Sequence, residues 1–123
     1  MNETVICSAI SAWFEPKPTQ EGNRSVSPAG FWTFTYIRGV GVKWHTSFDY
    51  FTDEAANARL LEAMPFPSLI MWEGGTASAI TGKYWHCIPE HNVKHGYGGE
   101  IHKDRKTAVV LSFLKFANIQ VVE

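Results

Sequence analysis

The stretch from Phe31 to Phe48 constrains the fold more than any other part of the chain. Phe31, Thr33, Thr35 and Ile37 alternate with Trp32, Phe34, Tyr36 and Arg38, and a period of two is the signature of a strand with two distinct faces. Gly39-Val40-Gly41 comes next, and glycine supplies the positive φ that a tight connection needs. Strand character resumes from Val42 to Phe48. The stretch therefore predicts a hairpin.

The flanks complete the fold class. Thr4 to Phe14 is rich in β-branched and aromatic residues (Val5, Ile6, Ile10, Trp13, Phe14), which predicts a strand buried on parts of both faces near the centre of a sheet. Residues 15–30 carry Pro16, Pro18, Gly22, Pro28 and Gly30, a composition for a mobile loop of the length that lids and binding loops have. Thr52 is the expected N-cap of a helix with Asp53 and Glu54 in its first turn, followed by Ala55 to Met64, a run of good helix formers. Ala56, Leu60, Leu61 and Met64 recur at spacings of three and four and form its inner stripe, and Pro65 and Pro67 stop it. Ser68 to Glu73 reads as a short strand, Gly74-Gly75 as a turn, and Thr76 to Ile88 as a second strand region broken near Gly82. Residues 89–99 read as loop with two helical turns in it. Thr107 to Phe116 fits a helix or a strand. Asp104 as N-cap favours the helix, with Val110, Leu111, Phe113 and Leu114 inward, followed by a terminal strand from Ile119 to Val122. The sum is an α+β fold: an antiparallel or mixed β-sheet with about two helices packed on one face.

Size and composition bound what such a fold can be. At 123 residues one domain with one core is the expectation, and 45% hydrophobic against 19% charged residues excludes a disordered chain. A net charge of −1 gives no overall attraction to nucleic acid or to an anionic membrane. Cys7 and Cys87 are too few and too far apart for a disulfide framework, so buried free thiols are expected. Glu3 precedes the first apolar run and Trp13-Phe14 ends it, which does not fit a secretory signal. A soluble, cytoplasmic protein is the resulting expectation.

Two groups of residues bear on function. His86, His91, His95 and His102 lie close together in sequence with Cys87 and Glu90, and imidazole, thiolate and carboxylate are the ligands zinc takes. A short helix from Pro89 to His95 would set His91 and His95 four apart on one face, where two rings can share an ion. The pattern departs from the zinc-protease signature, because Asn92 stands where that signature has glutamate. His86 and Cys87, as strand neighbours, would point to opposite faces. Solvent-facing histidines are the favoured reading, with no cofactor. A zinc site on His86, His91 and His95, or a metal-free acid–base site, is the competing one. Residues 96–106 join glycines to Lys103, Arg105 and Lys106 without the order of a phosphate loop, and a solvated basic turn is expected there.

The second group is aromatic. Five Trp, four Tyr and eight Phe exceed what a small core needs. If Phe31, Thr33, Thr35 and Ile37 face the helices, then Trp32, Phe34 and Tyr36, joined by Trp44 across the hairpin, form a row on the other side. Such a row suits a ligand pocket or a subunit interface. It suits base stacking less well, since only Arg38 and Lys43 accompany it. The expected function is thus a non-catalytic binding module, a homodimer using this face for a small molecule or a protein partner. A small histidine-dependent hydrolase is the alternative.

Overall fold

A computed structural model describes residues 1–19, 25–65, 67–74, 82–89 and 99–121. Among these residues there are three helices and five strands: α1 (Glu3–Phe14), β1 (Trp32–Ile37), β2 (Gly41–Thr46), α2 (Glu54–Ala63), β3 (Ser68–Gly74), β4 (Gly82–Ile88), β5 (Glu100–His102) and α3 (Arg105–Phe116). The strands form two antiparallel sheets, β1-β2 and β3-β4-β5. The fold is α+β. No described helix is long and apolar enough to cross a membrane. The chain gathers into two compact units, one of Met1–Asp49 with the C-terminal tail from Ile119, the other of Tyr50–Asn118.

In the first unit, the segment expected as a central strand is helix α1. Asn2 caps it by accepting a hydrogen bond from the Val5 N–H at 3.2 Å, and Glu3 sits in the first turn. Its buried positions, Ile6, Cys7, Ile10 and Ser11, repeat with helical spacing. The unfavourable helix propensity of a β-branched residue is about half a kcal/mol. A cap is worth about 1 kcal/mol, and the buried stripe adds more. The hairpin β1-β2 forms with Trp32 opposite Thr46, Phe34 opposite Trp44 and Tyr36 opposite Val42. Gly39 and Gly41 take φ of +84° and +101° in the connection.

Residues 15–30 are only partly within the described set. Their described ends are tied down by hydrogen bonds. Glu15 accepts from the Ser27 hydroxyl and from the Ala29 and Phe31 N–H groups at 2.9 and 3.3 Å. Phe14 stacks on Phe31 with centroids 5.0 Å apart and rings within 5° of parallel. Ser27 and Ser25 pair with β1 through Ser27 N–H to Trp32 O at 2.8 Å and Phe34 N–H to Ser25 O at 3.1 Å, around a bridge between Val26 and Thr33.

In the second unit α2 starts one residue later than expected. Asp53, and not Thr52, is the cap, accepting from the Ala56 N–H at 2.9 Å. Ala56, Leu60 and Met64 are buried as the periodicity required. Asn57 is buried with them, and its amide donates to Tyr50 O at 2.8 Å and Lys106 O at 3.1 Å. This amide bridges the turn before α2 to the start of α3.

Helix α3 confirms the helical alternative, with Asp104 accepting from the Thr107 N–H at 2.9 Å. Val109, Val110 and Phe113 are fully buried. The strand expected from Ile119 to Val122 is not formed over 119–121. Asn118 turns the chain out of α3 at φ +54°, the left-handed ending that asparagine tolerates. Strand β5 was not expected. Its three residues are too few to show a period, and it exists by pairing with β4, Trp85 opposite His102 and Cys87 opposite Glu100.

Candidate functional site

The hairpin of the first unit has two chemically different faces. One carries Trp32, Phe34 and Tyr36 with their partners Thr46, Trp44 and Val42. The other is polar: Thr33 and Ser47 share a hydroxyl hydrogen bond at 2.8 Å, Thr35 and His45 one at 3.0 Å, and Lys43 is exposed. The aromatic side of the strands meets α1, where Ser11 shares a hydrogen bond with Thr46, while Phe31, just before β1, stacks on Phe14. Side chains whose hydroxyls satisfy one another across a hairpin lose little by facing water, whereas indole rings gain by burial.

The aromatic face is covered at one end and open at the other. Trp32 is 2% exposed and donates its indole N–H to Glu15 O at 2.8 Å. Phe34 and Trp44 are half-buried and meet edge to face, with centroids 5.0 Å apart and planes at 69°. Tyr36 is 68% exposed. Of the row expected as one surface, Trp32 is therefore a core residue, while Phe34, Trp44 and Tyr36 remain as a short aromatic surface.

Glu15 holds the covered end. Burial acts to raise its carboxyl, but hydrogen bonds from Ser27, Ala29 and Phe31 outweigh it and leave the group below the usual carboxylate range. The carboxylate is thus ionised at neutral pH and keeps both ends of the 15–30 segment beside Trp32.

A polar cleft of about 310 Å³ lies elsewhere in the same unit, lined by Glu3, Thr4, Cys7, Thr46, Ser47, Phe48 and Asp49. Reading Thr4 to Phe14 as a strand hid it. The Asn2 cap and the acidic first turn are the signals that could have found it.

The histidines divide. His86 pairs with Ile101 and so lies on the opposite face of β4 from Cys87 and from His102, which pairs with Trp85. His102 is engaged in a turn, its Nδ1 accepting from the Asp104 N–H at 2.9 Å, which assigns its remaining proton in the neutral ring to Nε2. His91, His95 and Glu90 lie outside the described residues. Among the described residues no three His, Cys, Asp or Glu side chains come close enough together to hold a metal. Cys87 is fully buried, and burial pushes its thiol up despite a hydrogen bond with Ser112, so it is a protonated core thiol.

In comparisons with known proteins, the chain matches no family model, no curated protein and no solved structure.

Proposed function

We propose that this chain is a non-catalytic binding module whose hairpin presents Phe34, Trp44 and Tyr36 to a protein or peptide partner. The observation that carries the reading is the gradient along one strand face, from Trp32 at 2% exposure to Tyr36 at 68%. Rings anchored by their neighbours and exposed at the far end lose little rotamer freedom on binding, and Tyr and Trp dominate the energetics of protein interfaces. A partner with a surface of its own fits a strand face better than an enclosed small molecule does, since the unit's 310 Å³ cleft contains none of these rings. Nucleic acid fits poorly, because Arg38 and Lys43 are the cations of the hairpin and the chain's net charge is −1. We place the module in the cytoplasm, where its buried, free Cys7 and Cys87 would stay reduced, and take it to be a homodimer. The alternative, a small hydrolase using His86, His91 and His95 with or without zinc, gains nothing from His86, which faces away from His102 and Cys87.

Panning a random peptide library on the immobilised chain tests the proposal. Recovered peptides should shift tryptophan emission and bind Tyr36→Ser about tenfold more weakly than wild type. Peptides that bind both proteins equally would remove the hairpin face from the site. Tight binding of one zinc ion per chain, abolished by His95→Ala, would favour the hydrolase instead.

A further inference from the structure

We propose that the turn of the β1-β2 hairpin is a contact for an anionic lipid surface, with Ile37 and Val40 entering the headgroup region and Arg38 and Lys43 meeting phosphate. The proposal goes beyond the peptide reading, which uses Phe34 and Trp44 on the strand face, and Tyr36 alone belongs to both. It begins from exposure. Tyr36, Ile37 and Val40 are 68%, 41% and 77% exposed, so three large apolar side chains meet water within five consecutive residues. Single exposed apolar side chains are ordinary, whereas an adjoining group of them marks a contact. The Val40 N–H donates to Ile37 O at 3.0 Å, which closes the turn and holds both residues at one end of the hairpin.

Charge selects the partner. Residues 22–48 hold Arg24, Arg38 and Lys43 and no Asp or Glu, in a chain with 12 acids and a net charge of −1. The cations of the hairpin stand beside its apolar end, Arg38 in the turn itself and Lys43 just past it in β2, and both are exposed. Among the described residues neither has an ion-pair partner. The cytoplasmic leaflet of a membrane is anionic, and each Lys or Arg close to it favours binding about fivefold.

Other anionic partners suit the turn less well. Ile37 and Val40 are aliphatic and give bases no ring to stack on. A protein that covered only these few turn residues would bury far less than the roughly 800 Å² per partner of a specific interface. A bilayer asks for no complementary shape. It takes apolar side chains into its interfacial region while the charged ends of arginine and lysine stay among the headgroups. Tyr36 suits the same boundary, with its ring toward the apolar side and its hydroxyl toward water. Two cations and three apolar side chains make a contact that is weak and reversible.

Co-sedimentation with vesicles of phosphatidylcholine, alone or mixed with phosphatidylserine, tests the proposal. Wild type should bind the mixed vesicles and be released as salt rises. Val40→Asp, and separately Arg38→Gln combined with Lys43→Gln, should each weaken that binding at least about tenfold, with unchanged circular dichroism spectrum and melting temperature. An environment-sensitive dye on Val40→Cys should shift to the blue on the mixed vesicles. Peptides that bind the strand face should still bind Val40→Asp, which keeps the two readings separable. The absence of vesicle binding would overturn the proposal. So would equal binding to both kinds of vesicle, binding that persists in Val40→Asp, or a dye shift produced by an acidic peptide and not by vesicles.

Discussion

The junction of β4, β5 and α3 and the open end of the β1-β2 hairpin show two different uses of the same strand chemistry. At the junction the Ser112 hydroxyl donates to Cys87 O at 2.7 Å and accepts from the Glu100 N–H at 2.8 Å, so one buried side chain stitches a helix to two strands. Gly99 passes so close to Cys87 that a Cβ there would lie 1.9 Å from its carbonyl oxygen. Nothing can be added and little removed. At the hairpin's open end Tyr36 and its neighbours are supported by the backbone ladder and by one ring contact, and a change there leaves the core alone. Parts of the chain that stabilise are recognisable by buried, doubly engaged polar atoms. Parts free to bind are recognisable by anchored but exposed rings.

The contrast is broken or sharpened most strongly at Gly99. Replacing it by Ala requires a left-handed φ of +97° and displacement of backbone, and should cost at least about 3 kcal/mol. Chemical denaturation would measure this, and a loss below about 1 kcal/mol would show that the junction is not close-packed. Ser112→Ala should cost about 1–3 kcal/mol by leaving the Cys87 carbonyl and the Glu100 N–H without their partner, with faster amide exchange at Glu100 as the local signature.

A smaller effect belongs to the ion cluster on α2 and α3. Arg105 Nη2 lies 2.7 and 2.8 Å from the two Glu54 oxygens, and Lys106 Nζ lies 2.7 Å from one of them. Hydrogen bonds from Arg105 first, then Lys106, pull the Glu54 carboxyl from 4.5 down to about 2. A carboxyl with a lowered folded-state pKa stabilises above its unfolded value, so this contribution is complete above pH 4.5 and lost as pH falls toward 2. Solvent exposure and salt keep it small. Stability–pH curves of wild type and Glu54→Gln should lie apart above pH 4.5 and converge as pH falls toward 2, with a smaller separation in high salt, and curves that stay parallel would remove the pair from the stability balance.

The smallest change is expected at the open row. Tyr36→Ser should alter stability by no more than about 0.5 kcal/mol, since the ring is exposed. A larger loss would mean that the row belongs to the core and not to a binding surface. Trp32→Ala, at the covered end of the same face, is the control, with an expected cost of about 3–5 kcal/mol.

These contrasts also mark how much was legible beforehand. The hairpin was visible because alternation over six residues and two glycines point the same way. Helix α2 was visible because acids and apolar spacing agree, although its cap is Asp53 and not Thr52, and α3 was favoured over a strand only by the Asp104 cap. Helix α1 was misread because Val5, Ile6 and Ile10 speak for a strand locally, while the stripe Ile6, Cys7, Ile10, Ser11 becomes decisive only once something covers it. The candidate row was found, but its division into a buried Trp32 and an exposed Tyr36 was not. Alternation says which residues share a face and is silent on how far a neighbouring helix reaches across it.

By itself, then, the sequence determined the local periodicities, the turns and caps, the near-neutral charge and the α+β class, all of which rest on residues within a few positions of one another. Tertiary structure decided that α1 is a helix, that β5 exists, which hairpin face meets α1, and that His86 and His102 diverge. Each of these depends on contacts between residues distant in the chain. Burial there outweighs propensities of a few tenths of a kcal/mol per residue, and no short window of sequence contains that information.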